Sequence, residues 1–481
     1  MVKVMEIPKE VKIVVEKLQK AGYEAYVVGG CVRDLLRKVK PKDWDITTNA
    51  KPEEMQKLFP KSFYANQFGT VTVLTKSKDK TLAEIEITTY RIDEKYSDKR
   101  HPDKIKFAKT IEEDLARRDF TVNAIALDKD LIDPFDGKKD LEEKIIKTVG
   151  KADDRFNEDA LRMLRAVRFA SVFSFSIEGK TLKAIQKNAG WIQAISKERI
   201  RDELIKIFKS EKVAEGINLL REAGLLKYII PELEKGIGNT QNRGHIYDIY
   251  EHSLRSLKVA SENKYSIEVK FASLFHDIGK PETKQGEGPD STFYNHDYVG
   301  AKIAARILQR LKFPKKFIEK TAMLVKNHMF VSDPERLTEA GARRILRRVG
   351  QENISDLINL RIADRLGMGR PKARPYRLRK VEYLIEKVSK DPISVAMLKI
   401  KGDDIMKLLK IEPGPKIGAI NDVLLAEVIE DPKKNTKTYL EKRTKELDKE
   451  NLEKLRKLAK GKIEEKKEEE DLKIKEKYWV K

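Results

Sequence analysis

The period of the apolar residues changes near residue 140, and no single-class fold accommodates that change. Before it, "YEAYVVGG", "TVTVLT" and "LAEIEITTYR" are rich in β-branched residues or alternate apolar with polar positions, the pattern of strands. After it, "EDALRMLRAVRFA", "ERIRDELIKIF", "VAEGINLLREAGLL", "AKIAARILQRL" and "GARRILRRV" repeat at helical spacing. Residues 9–21 form one early helix, with Gly22 suited to its C-cap. The expected class is therefore α+β, a mixed β-sheet head followed by all-α domains. Residues 433–481 are dense in Lys and Glu with little apolar material, which predicts a frayed or extended helix.

A chain of 481 residues is too long for one core, and 40% apolar content supports several folded domains. The net charge of +22 favours a polyanionic partner, nucleic acid or a membrane surface. No apolar run of about 18 residues and no signal-type segment follow from the sequence, so a soluble cytoplasmic protein with no membrane association is expected. Cys31 is the only cysteine, which excludes an internal disulfide and a Cys-based zinc site.

Within the head, "GGCVRDLLRKVKPKDWDI" places Gly29 and Gly30 after a strand, with Leu35 and Leu36 beginning a helix. That turn exposes backbone N–H groups beside Arg33, a geometry that holds phosphate. Asp43 and Asp45, two apart, repel unless a cation lies between them; the alternative is a solvated turn with capping aspartates. Glu86 either assists them or is a plain exposed strand residue. "RRDFTVNAIALD" sets Arg117, Arg118 and Asp119 before a short apolar strand, as surface charge or as a phosphate or ribose contact.

Four ordered motifs, "VVGGCVRDLL…KDWDITTNA", "RRDFTVNAIA", "DPFDGKKDL" and "EDALRMLRAVRFA", resemble those of the class II tRNA nucleotidyltransferases, the CCA-adding enzymes. The resemblance is strongest over roughly residues 12 to 210. It implies a nucleotidyltransferase head at 1–140, a helical neck at 141–215, a connector at 216–240, a metal-binding domain at 241–370 and a tRNA-binding tail at 371–481. It also implies transfer from CTP and ATP to the 3′ end of tRNA, with Mg²⁺ on Asp43 and Asp45 as the catalytic carboxylates. Gly30, Arg33 and Arg118 match nucleotide-holding positions.

The neck motif spaces Asp159, Arg162, Arg165 and Arg168 by three, so neighbours share a helical face; an i, i+3 salt-bridge ladder is the competing reading. In the resemblance, Asp159 and Arg162 read the incoming base, Glu158 orients them, and Arg165 and Arg168 contact the nucleotide. Cytosine and adenine both present an amino donor beside a ring-nitrogen acceptor, which a carboxylate and a guanidinium satisfy together. Uracil and guanine mismatch both partners.

Five of the six histidines, His245, His252, His276, His296 and His328, fall in one window. His276-Asp277 in "LFHDIGK", with His252 upstream and Asp364 downstream, resembles the HD phosphohydrolase signature. That implies a second divalent metal, a transition metal or Mg²⁺, with His296 and His328 as candidates for widening the site. The polar loop "RIDEKYSDKRHPDKIKF", basic at Lys99 and Arg100, resembles the flexible loop that CC-only enzymes tend to lack. Lys416, beside a Gly/Pro turn, either holds a backbone phosphate or belongs to a plain interhelical turn.

Overall fold

The computed structural model describes residues 7–66, 69–94, 104–242, 246–330, 338–369, 376–389 and 398–480. Lys99, Arg100 and His245 lie outside these residues. The chain divides into two compact units, Met1–Lys326 with Ala363–Gly369, and Asn327–Ile362 with Arg370–Lys481.

The first unit opens with α1 (Lys9–Lys20), whose Val11, Val14, Val15 and Leu18 form one buried stripe. Ala21 caps it and Gly22 follows with φ +90°, the left-handed turn a glycine enters without strain. Next come β1 (Ala25–Val28), α2 (Gly30–Leu36), β2 (Asp45–Thr48), α3 (Pro52–Leu58), β3 (Ser62–Asn66), β4 (Thr70–Leu74) and β5 (Glu84–Thr89). A hairpin, β6 (Arg91–Glu94) with β7 (Lys104–Phe107), precedes α4 (Ile111–Ala116), β8 (Ala126–Leu127), β9 (Leu131–Ile132) and α5 (Gly137–Glu142). The seven-stranded sheet has the order β3-β4-β5-β2-β1-β8-β9, antiparallel except where β2 runs parallel to β5. One face carries Val27, Ile46, Val71, Val73, Ile85 and Ile87 into a core shared with α1 and α3.

The rest of this unit is helical apart from short strand pairs, as the period change predicts. In the neck, α6 (Ala152–Glu158), α7 (Leu161–Phe173), α8 (Gly179–Asn188) and α9 (Lys197–Phe208) pack on one another. Further helices cover Ile249–Glu262, Ile267–Phe275 and His296–Arg310.

Three local expectations are corrected. The helix after the glycine turn starts at Gly30 and ends at Leu36, so Leu35 and Leu36 close it rather than open it. After Asp119 the chain first makes a 3-10 turn, Thr121–Asn123, and only then the two-residue β8. The segment around Asp159 is not one helix. It breaks there at φ −139°, ψ 104°, and the Asp159 carboxylate accepts a bond of 3.0 Å from the Leu161 N–H at the start of α7.

In the second unit the C-terminal helix, Leu452–Tyr478, is neither frayed nor extended without contacts. Leu455 and Ile474 are buried, and Asp471 accepts from Tyr383 (2.5 Å) and Lys387 (2.7 Å) on the helix Tyr376–Ser389. These polar ties add to the apolar burial of Leu455 and Ile474. Lys416 donates to the Asp448 carbonyl (2.6 Å) and pairs with its carboxylate (2.8 Å), which gives it a structural job in its interhelical turn.

Candidate active sites

In the head, the parallel pairing of β2 with β5 sets Asp45 directly opposite Glu86, so the two carboxylates share one sheet face. Beside them lies a cavity of about 280 Å³ lined by Val28, Asp45, Thr70, Glu86, Thr88, Arg91, Arg117 and Arg118, among others. Burial raises the Asp45 carboxyl, Arg118 pulls it back, and Asp43 and Glu86 push it up again, to about 6. A half-buried carboxylate crowded by two others is a group that favours a bound cation. The oxygen-only donor set suits a hard ion such as Mg²⁺.

The adjoining wall is built by buried ion pairs. Gly29 caps α2 at φ +81°, and a Cβ there would meet the Arg118 guanidinium at 2.6 Å, so only glycine lets this arginine approach the turn. Asp114, fully buried, holds Arg117 (2.7 Å) and Arg118 (3.5 Å). Arg33 donates to Asn123 (2.6 Å) and Asp34 (2.9 Å) while its guanidinium lies 4.6 Å from the Phe173 ring centre. Asn123 in turn donates to Asp119 (3.0 Å), and Asp119 accepts from Arg165 (2.9 Å). Burial raises the Asp119 carboxyl, but Arg165 and Asn123 outweigh it and hold it far below the usual range. One polar chain thus joins the glycine turn to α7.

The neck residues are brought to neighbouring places but not as a ladder. Arg162 pairs with Glu158 and donates to the Arg117 carbonyl (3.1 Å), Arg165 reaches Asp119, and Arg168 reaches Glu203 (2.5 Å). Asp159 pairs with Arg199 of α9 (2.7 Å) instead of Arg162. Arg162 and Asp159 therefore each have their own partner, Glu158 for Arg162 and Arg199 for Asp159. In the sequence "ERIRDELIKIF" shows only a helical period; the partnership of Arg199 is long-range and has no local signal. Asn123 was also missed, although a buried asparagine beside a charged motif is itself a cue.

A second polar centre lies farther along the same unit. The Nε2 atoms of His252 and His276 are 3.0 Å apart, and His252 Nε2 lies 3.2 Å from an Asp364 oxygen and 3.5 Å from Asp277. His276 Nε2 is 3.2 Å from Asp277, and His296 Nε2 is 3.5 Å from its other oxygen. All five residues are buried. The Nδ1 of His276 faces the Ser273 carbonyl at 2.9 Å, which turns Nε2 toward the cluster. Burial lowers the His276 pKa, but Asp277 and Asp364 outweigh it and raise it to about 10, so this centre attracts positive charge. His252, His276 and Asp277 bring ligand atoms close enough for one metal ion to bridge. Lys280, bound to Asp277 (2.7 Å) and Gln241 (2.6 Å), is a further member that sequence reading did not single out. His328, also buried, belongs to the second unit.

Comparison with known proteins agrees with this arrangement. Residues 25–147 match the poly A polymerase head domain, residues 174–237 the probable RNA and SrmB-binding site of polymerase A, and residues 249–369 the HD domain. A CCA-adding enzyme of Lactobacillus delbrueckii subsp. bulgaricus is 50% identical over 209 residues, 43% of this chain and 52% of the relative. The match thus spans about half the length of that relative. An A-adding tRNA nucleotidyltransferase of Deinococcus radiodurans is 33% identical over 82% of this chain and 89% of its own. The crystal structure of the Bacillus stearothermophilus CCA-adding enzyme in complex with CTP superposes with a TM-score of 0.60 at 28% identity, covering 92% of this chain and 98% of that one. With a nucleotidyltransferase-type head, a helical neck, an HD domain and a relative matched along most of both chains, this chain belongs to the class II tRNA nucleotidyltransferase family.

Proposed function

We propose that the protein adds nucleotides to the 3′ end of tRNA from CTP and ATP, completing CCA. The observation that carries this reading is the Asp45–Glu86 cavity walled by Arg117 and Arg118, with the neck residue Arg162 donating to the Arg117 carbonyl. Asp43 and Asp45, with Glu86 alongside, would hold Mg²⁺, which when bound lowers the pKa of the accepting ribose hydroxyl and steadies the triphosphate. Gly30 and Arg33 place the triphosphate at the start of α2, where Arg118 also lies against the glycine turn. Asp159 accepts from the amino group of cytosine or adenine while Arg162 donates to the ring nitrogen. Because Arg199 and Glu158 fix those two side chains, selectivity for C and A needs no nucleic-acid template. The net charge of +22 suits a tRNA partner, and a cytoplasmic location follows from that substrate. Among the described residues no helix is long and apolar enough to cross a membrane. The expected result is label entering tRNA from CTP and ATP but not from UTP or GTP, ceasing with a chelator and returning with Mg²⁺. Incorporation of all four nucleotides alike would reject the reading.

A-only addition is the second reading, favoured by the A-adding relative, whose match extends along most of both chains.

The His252, His276, Asp277 and Asp364 centre supports a second activity, metal-dependent hydrolysis of phosphomonoesters or cyclic phosphodiesters. His276→Ala combined with Asp277→Ala should empty that site and remove hydrolysis of 2′,3′-cyclic nucleotides, leaving nucleotide addition within a few-fold of wild type. Metal content, hydrolysis and addition are measured on one preparation. Hydrolysis that persists after the metal is lost contradicts the assignment.

A further inference from the structure

The sheet of the head has a second face whose outer part is open. Directly paired residues project to the same side, and the register runs Asp45 opposite Glu86, Glu86 opposite Thr72, and Thr72 opposite Phe63. This row crosses the sheet from the carboxylates to its edge strand. On its other side Asp45 is walled by Val28, Arg117 and Arg118, behind which Tyr90, Ile111, Leu115, Ala124 and Ala126 form a closed cluster. Toward the edge, Phe63 is 47% exposed and Leu74, diagonal to it on the same face, is 43% exposed. A large aromatic left this open on a face that leads to a catalytic carboxylate calls for an occupant.

We propose that Phe63, flanked by Leu74, is a stacking platform for an unpaired base of the accepting RNA strand, just upstream of its 3′ end. The inference rests on the nucleotide-addition reading, which requires a 3′ hydroxyl beside Asp45 and Glu86. With the Arg118 side taken by the incoming nucleotide, the accepting strand departs over β4 and β3. Three strand spacings of about 4.8 Å separate Asp45 from Phe63, roughly 14 Å. That is more than one nucleotide unit, so the base met there is upstream of the accepting one. Glu84, exposed and opposite Leu74, repels phosphate and turns the base rather than the backbone toward the sheet. Stacking is tolerant of base identity, which suits an end that changes as it grows.

The test uses the full chain and a tRNA transcript with 2-aminopurine at its penultimate position. Wild-type protein should quench the 2-aminopurine fluorescence, and Phe63→Ala should lose the quenching. The same variant should raise the KM for tRNA roughly 10-fold, the scale of one lost base–aromatic stack, with the KM for CTP and ATP unchanged. Phe63→Tyr should restore both signals and Phe63→Leu should not. Absence of quenching in wild type, its persistence in Phe63→Ala, or rescue by leucine equal to that by tyrosine would overturn the platform. A Phe63-dependent quench in a protein that transfers no nucleotide would leave the platform standing and reject the activity instead.

Discussion

Asp45→Ala should lower nucleotide addition by at least roughly 1,000-fold while changing tRNA affinity less than about twofold. Asp45 is the inner member of the carboxylate group, paired in register with Glu86 and crowded by Asp43, and its removal leaves two exposed acids that cannot enclose a cation between them. In the proposed function, affinity for tRNA would come instead from Lys and Arg contacts spread over the chain, which the substitution does not touch. The measurement pairs single-turnover rates with a filter-binding or anisotropy isotherm at fixed salt. Asp43→Ala should follow the same pattern, and near-normal turnover in either variant would remove the metal assignment from this site. The half-buried position of Asp45 also makes Asp45→Asn a useful companion, since it keeps the volume while losing the charge.

Asp159→Ala should leave the fold intact and raise incorporation of UTP relative to CTP by roughly 10- to 100-fold, the scale of one or two lost buried hydrogen bonds. Asp159 lies at the break between α6 and α7, with its carboxylate held by Arg199 and by the Leu161 N–H. If Asp159 reads the base as proposed, its loss removes the acceptor for the amino group of C or A and frees Arg199 to donate to a carbonyl instead. Arg162, anchored by Glu158, stays in place, so discrimination falls rather than disappears. Competition between CTP and UTP at equal concentration reads the ratio directly. A variant with wild-type preference would show that base choice is made elsewhere.

Much of this architecture is legible in the sequence because its signals are local. The β-branched strands of the head, the glycine pair after β1 and the apolar stripe of α1 each depend on residues within a few positions of one another. The histidine cluster was visible because five of a scarce residue type in one window is a composition anomaly. What the sequence does not reveal is long-range pairing. "EDALRMLRAVRFA" has an uninterrupted helical period, yet the chain breaks at Asp159, where a capping carboxylate and the distant Arg199 together outweigh one more turn of helix. Likewise three arginines spaced for a ladder find three acids on different elements, Glu158, Asp119 and Glu203. The C-terminal helix reads as frayed or extended because its ties are long-range, Asp471 to Lys387 and Tyr383 and Leu455 into an apolar cluster with Ile420 and Leu424.

The most direct test of the account supplies three transcripts of one tRNA, ending before the CCA, after CC, or complete, with labelled CTP or ATP. Two C residues then one A should enter the first transcript, a single A the second, and nothing the third. Addition of A to the second transcript alone would establish A-only activity, and no addition to either incomplete transcript would contradict nucleotidyl transfer to tRNA.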